Sequence, residues 1–162
     1  MEENAVNPYQ SPLAGLMDGG MADVGQTAAR PAYKLFSIWS IILATIFGAP
    51  VAGGIVMAIN YKRLGFPGKA THAVVWSAVA TAVILAIAVF MPEDIHIPNM
   101  AFVIPQLVVM YLLAKTLQGP AMETHQAQGG PCASAWLAAG IGLLSMIAIF
   151  FVLGVAAFVI GE

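Results

Sequence analysis

Fourteen of the 162 residues are charged, six basic and eight acidic, while 60% are hydrophobic and the mean hydropathy is +0.86. A soluble domain is about 25% charged and must cover its surface with polar groups. The composition therefore excludes an ordinary cytosolic enzyme, and a net charge of −2 excludes a basic nucleic-acid binder. The lipid bilayer is the expected solvent, and nucleic acid is not an expected partner.

Residues 1–34 carry no apolar period. They contain Asn7-Pro8-Tyr9-Gln10-Ser11-Pro12 and Asp18-Gly19-Gly20, and read as a disordered N-terminal tail. The start Met1-Glu2-Glu3 is acidic where a signal peptide is basic. Four charge-free intervals follow, at 35–61, 70–92, 95–114 and 124–161. A helix crosses the hydrocarbon core with about 20 apolar residues, and a charge at the bilayer centre costs about 2.5–3.5 kcal/mol. Each interval therefore predicts one span, at about 35–59, 72–91, 97–117 and 135–160. The expected fold is all-α, a polytopic membrane protein whose four transmembrane helices occupy 35–162.

The connections differ in character. Residues 62–71 are basic around the turn Gly65-Phe66-Pro67-Gly68. Residues 92–96 are short and acidic, so spans 2 and 3 should form a hairpin. Residues 118–134 are polar and rich in Gly and Pro, and read as a mobile connection. With four spans both termini share a side. Counting Lys and Arg puts Lys62, Arg63, Lys69 and Lys115 in the cytoplasm and the termini outside, against the pull of Arg30 and Lys34.

Span 1 has a weak centre, Gly48-Ala49-Pro50-Val51-Ala52-Gly53-Gly54. Proline removes a helix hydrogen bond and glycines weaken the helix further. A second topology follows, in which this span dips in and returns, so that all six basic residues fall on one side. Irregular backbone at that depth must be shielded by protein or water. Pro105 predicts a kink in span 3, as Pro50 does in span 1.

Small residues recur at spacing four. Ala44, Gly48 and Ala52 form one line in span 1 with Gly53 beside it, and Ala78, Ala82 and Ala86 form another in span 2. Small side chains let helices approach closely in lipid. The lines predict packing of spans 1 and 2 against each other, with a dimer face as the other reading. Asn60, Tyr61, Lys62 and Arg63 close span 1 as interface anchors, and with Lys69 could meet an anionic lipid.

No chemistry is evident. The span centres hold no Asp, Glu, His, Lys or Arg, only the hydroxyls Ser37, Ser40, Thr45, Ser77, Thr81 and Ser145. Without a base these bond to their own helix or a neighbour. His72, Glu123, His125 and Cys132 match no tight ligand spacing. No catalytic residue, metal or cofactor is expected. Gln106 and Asn99 offer a thin polar lining for a pore.

Phe47-Gly48-Ala49-Pro50-Val51-Ala52-Gly53-Gly54, followed by Asn60-Tyr61-Lys62-Arg63-Leu64-Gly65, resembles a signature of small uncharacterised bacterial inner-membrane proteins. The resemblance covers about 20 residues of span 1 and the tail. It implies a bacterial inner-membrane location, and the group brings no assigned activity. The expected function is a non-catalytic accessory, scaffold or immunity-type component acting through helix–helix contacts. Its partner would be another membrane protein or a second copy. A small channel or permease for a neutral solute is the alternative.

Overall fold

The computed structural model describes residues 31–92, 98 and 100–160. Residues 1–30 of the expected disordered tail, Glu93-Asp94, His96 and Asn99 lie outside them, while residues 31–34, also expected to be disordered, are described and held against the helices through Tyr33 and Lys34. Four helices follow in order: α1 (Ile38–Arg63), α2 (Pro67–Phe90), α3 (Met100–Ala127) and α4 (Ala135–Ile160). The protein is all-helical, and each helix is long and apolar enough to cross a membrane.

Of the two readings of span 1, a kinked crossing and a segment that dips and returns, α1 has the backbone path of the second. A helix rises about 1.5 Å per residue, so in a straight helix Phe36 and Asn60 would stand roughly 35 Å apart. Instead the Phe36 N–H donates to Asn60 Oδ1 at 2.8 Å, and Asn60 Nδ2 donates to the Phe36 carbonyl at 2.9 Å. The Arg63 guanidinium likewise reaches the Lys34 carbonyl. Thus α1 is a hairpin of two helical arms, and its first and last residues lie at the same end of the molecule.

The reversal falls where the sequence is weakest. Gly48 (φ −124°, ψ 25°) and Ala49 (φ 57°, ψ −176°) leave the helical region. Pro50 forces this, because it offers no N–H and its ring disfavours helical backbone at the residue before it. The same residue suits the first turn of the returning arm, where a missing N–H costs nothing. Val51 then has an orphan N–H, which donates to Thr81 Oγ1 of α2 at 2.9 Å. At the open end Ser37 caps the outgoing arm, its hydroxyl accepting from the Ser40 N–H at 3.2 Å. Gly53 lets the arms close: a Cβ there would collide with Thr45 Oγ1 and lie 3.5 Å from the Ile41 carbonyl.

Ala49 occupies a positive-φ, extended-ψ region that is essentially glycine-only and costs about 1–3 kcal/mol. We expect Ala49→Gly to stabilise the fold by about 1 kcal/mol, read as a higher denaturant midpoint in mild detergent. Ala49→Val should lower the same midpoint.

The hairpin is the core. Two thirds (67%) of its apolar window is buried, against 11% in α2, 11% in α3 and 6% in α4. Each of α2, α3 and α4 packs on α1, and they barely touch one another. The outer faces carry large apolar side chains, including Trp39, Trp76, Trp136, Phe90, Phe150 and Phe158. Trp39 and Trp136 stand one residue inside α1 and α4 at the hairpin's open end.

Two boundaries moved furthest. α2 starts at Pro67 rather than near 72, because Pro67 takes the first-turn position after the left-handed Gly65 (φ 82°). α3 runs to Ala127, so the first half of the expected mobile connection is helical. Its last turns are held by buried Gln118, Met122 and His125. The segment before α1 is stitched to the residues leading into α4: Leu35 N–H donates to the Pro131 carbonyl at 3.3 Å, and Ala133 N–H to the Leu35 carbonyl at 2.8 Å. Tyr33 stacks on His125 with ring centroids 4.9 Å apart. The ends of the hairpin, the start of α2, the end of α3 and the start of α4 therefore share one end of the molecule.

Candidate functional site

Small residues set the closest approaches, although not always those expected. Ala44, Gly48, Ala52 and Gly53 are buried. Their neighbours are α4, the hairpin itself and, at Gly53, Met110 of α3: a Cβ on Gly48 would lie 2.5 Å from the Gly142 carbonyl and 2.6 Å from Ala52 Cβ. A Cβ on Gly142 would lie 2.8 Å from the Ala44 carbonyl. Ala78, Ala82 and Ala86 are exposed. The face of α2 that meets α1 is instead Ala70, Ser77 and Thr81.

This correction has a simple cause. Hydroxyl side chains are nearly as small as alanine, and back-bonding hides their polarity. Ser77 Oγ donates to the Val74 carbonyl at 2.9 Å and Thr81 Oγ1 to the Ser77 carbonyl at 2.8 Å. Thr45 and Ser145 do the same with Ile41 and Ile141. Gly54 admits Ser77, whose side chain fills the space a Cβ at Gly54 would need. A hydroxyl pair four apart on α2, Ser77 against Gly54 and Thr81 against Val51, was the available signal.

Asn60 is fully buried rather than set at the headgroups. Besides its two bonds to Phe36, its Nδ2 donates to Gln118 Oε1 at 3.1 Å. Gln118 Nε2 in turn donates to the Met57 carbonyl at 2.8 Å. Both amides are thereby engaged at each end, which is the condition for burying them at low cost. The network joins the segment before α1, the returning arm and α3. Tyr61 is buried beside it, while Lys62 and Arg63 are exposed. The Arg63 guanidinium carbon sits 5.4 Å from the Phe36 ring centroid. Gln118 was missed because its partners lie 58 and 61 residues away.

Between α2 and α3 lies a cleft of about 680 Å³, floored by α1. Pro50, Gly54 and Met57 form the floor, Trp76 and Ala80 one wall, and Phe102 and Val109 the other. It runs from Tyr61, Lys69, His72 and Leu117 at the open end of the hairpin to Ile84 and Ala101. Gln106 and Ser77 are among its few polar side chains. Pro105 also lines it, and α3 passes through this proline as a single helix. The described lining is largely apolar and can hold an apolar body, with Tyr61, Lys69, His72, Ser77 and Gln106 as its polar side chains.

A second buried cluster closes the open end. His125 Nε2 lies 3.2 Å from the Pro131 carbonyl, and its Nδ1 has no partner. Gly130 passes so close that a Cβ would strike the imidazole. Cys132 is exposed. His72 lies apart, on α2. Among the described residues no three His, Cys, Asp or Glu side chains group as metal ligands.

Comparisons with protein-family models, curated proteins and solved structures return no match to this chain.

Proposed function

We propose that the chain is a multi-pass component of a bacterial inner membrane, non-catalytic, working through helix–helix contacts as an accessory, scaffold or immunity-type protein. One observation carries this reading: α2, α3 and α4 pack on the hairpin and not on one another. Helix association in lipid is driven by packing, and these helices keep most of their apolar surface free for a second copy or another membrane protein. Molecular mass measured in native nanodiscs tests it. The expected particle contains two or more chains, or a co-purifying membrane protein; a lone monomer in every preparation ends the proposal.

The proposed placement in the bilayer has three crossings, α2 to α4, with α1 re-entrant. Its arms, of about 11 and 14 residues, reach roughly 16 and 21 Å. The core is about 30 Å thick, so the tip reaches its middle. Lys34, Lys62, Arg63 and Lys69 lie at the hairpin's open end, with Lys115 near the end of α3. The positive-inside rule makes this end cytoplasmic and places the last residues of α4 on the other side. This removes the conflict that a four-span count left with Lys34.

In a Cys132→Ser background, cysteines at 34, 66 and 128 should label from one side, the cytoplasmic one. Labelling of 34 and 66 from opposite sides would restore a straight first span.

The rival reading is a permease for a neutral solute. The observation on its side is that Pro50, at the helix break, and Gln106 line the same cleft. Solute flux in liposomes that Gln106→Leu abolishes would favour it.

A further inference from the structure

We propose that the α2–α3 cleft is a binding site for one anionic glycerophospholipid of the cytoplasmic leaflet. This rests on the three-crossing placement above, and not on the helix-contact function. Three features identify the occupant.

The first is shape. Because α2 and α3 barely touch, the cleft is a lateral opening between two helices rather than an end-on pore. Its span along α2 from Lys69 to Ile84 is about 22 Å at ~1.5 Å per residue. One leaflet of the core is about 15 Å deep, so an acyl chain fits along its length. A volume of about 680 Å³ falls in the range of sites that enclose a small-molecule-sized body, about 300–1,000 Å³.

The second is the chemistry of the walls. Trp76, Ala80, Phe102, Val109 and Leu113 present hydrocarbon and aromatic surface. Water has too few partners there to fill the space, and acyl methylenes would restore the dispersion contacts that an empty cleft lacks.

The third is charge, which among the described lining residues sits at one end. Lys69 and His72 line the cleft only where it meets the cytoplasmic interface, beside Tyr61. The Lys69 ammonium lies 4.7 Å from the Phe66 ring centroid, which holds it on the rim. Lys62 and Arg63 follow Tyr61 within one turn. A neutral chain needs no such rim, and an anionic headgroup does: each basic group near the surface contributes about 1 kcal/mol, or about five-fold in occupancy.

Native mass spectrometry of the full chain reads the site directly. The protein is exchanged into micelles with equal phosphatidylglycerol and phosphatidylcholine, and retained lipid is counted. One phosphatidylglycerol per chain should survive, preferred at least five-fold over phosphatidylcholine. Lys69→Gln should cut that preference about five-fold while the chain still holds lipid. Ala80→Phe, which fills the wall, should remove retention of both lipids. Both side chains are exposed, so folding is not at stake, and an unchanged melting profile verifies it. Equal retention of the two lipids, retention unaffected by Ala80→Phe, or a cleft covered by a second copy with no lipid held would each overturn the assignment. Oligomer mass, read in the same spectra, reports separately on the helix-contact proposal.

Discussion

Asn60→Leu should destabilise the protein by about 3 kcal/mol, the largest loss expected from a single polar side chain in it. Leucine matches the volume but strands the Phe36 N–H and carbonyl and Gln118 Oε1, all of which Asn60 now satisfies. A buried group left without a partner costs about 1–3 kcal/mol. The open end of the hairpin should come apart first, because Phe36 and the returning arm lose their link. Unfolding in graded denaturing detergent measures the loss. A double-mutant cycle supplies the control: Asn60→Leu with Gln118→Leu should cost clearly less than the two single changes added together, since the amides then vanish as a pair. Strict additivity would show that the network does not act as a unit.

Gly142→Leu should separate α4 from the hairpin, with a loss of about 3 kcal/mol or more. The added Cβ would fall 2.8 Å from the Ala44 carbonyl and 3.2 Å from Ala44 Cα. These are backbone atoms, so no rotamer change relieves the clash, and overpacking of this kind typically costs about 1–3 kcal/mol even when side chains can move. Gly140 is the matched control on the same helix. A Cβ there meets nothing within 4 Å, so Gly140→Leu should stay within about 0.5 kcal/mol of the parent. Equal effects at 140 and 142 would mean that α4 does not dock through this face.

Charge positions made the lipid-facing helices legible. α4 begins and ends where hydropathy alone puts it, because nothing but lipid and the hairpin constrains it. The break in α1 was legible too, as Pro50 among three glycines. What that break does was not, because a kink and a reversal share one local sequence. Only the long-range pairs Phe36–Asn60 and Lys34–Arg63 distinguish them. Asn60 looked like a headgroup anchor for the same reason: its sequence neighbours are Tyr61, Lys62 and Arg63, but its spatial partners are Phe36 and Gln118. On α2, alanines drew attention one position away from the true face, where Ser77 and Thr81 supply the small surface. On α3, Gly119 and Pro120 suggested an end, yet burial of Gln118, Met122 and His125 outweighs the local preference for a turn.

The hairpin also bears on the order of assembly. Its tip rests on Thr81 of α2 and on Gly142 and Ser145 of α4, all of which leave the ribosome after it. Until they arrive, neither arm is long enough to cross lipid and the reversal at Gly48-Ala49 has no shield. On the three-crossing placement proposed above, the newly made segment waits at the cytoplasmic surface while α2, α3 and α4 insert around its place. A cysteine at position 49 should accordingly stay reactive to a water-borne reagent throughout synthesis and lose that reactivity only once α4 is in. On that placement the hairpin is made before the three helices that shield it and settles after them.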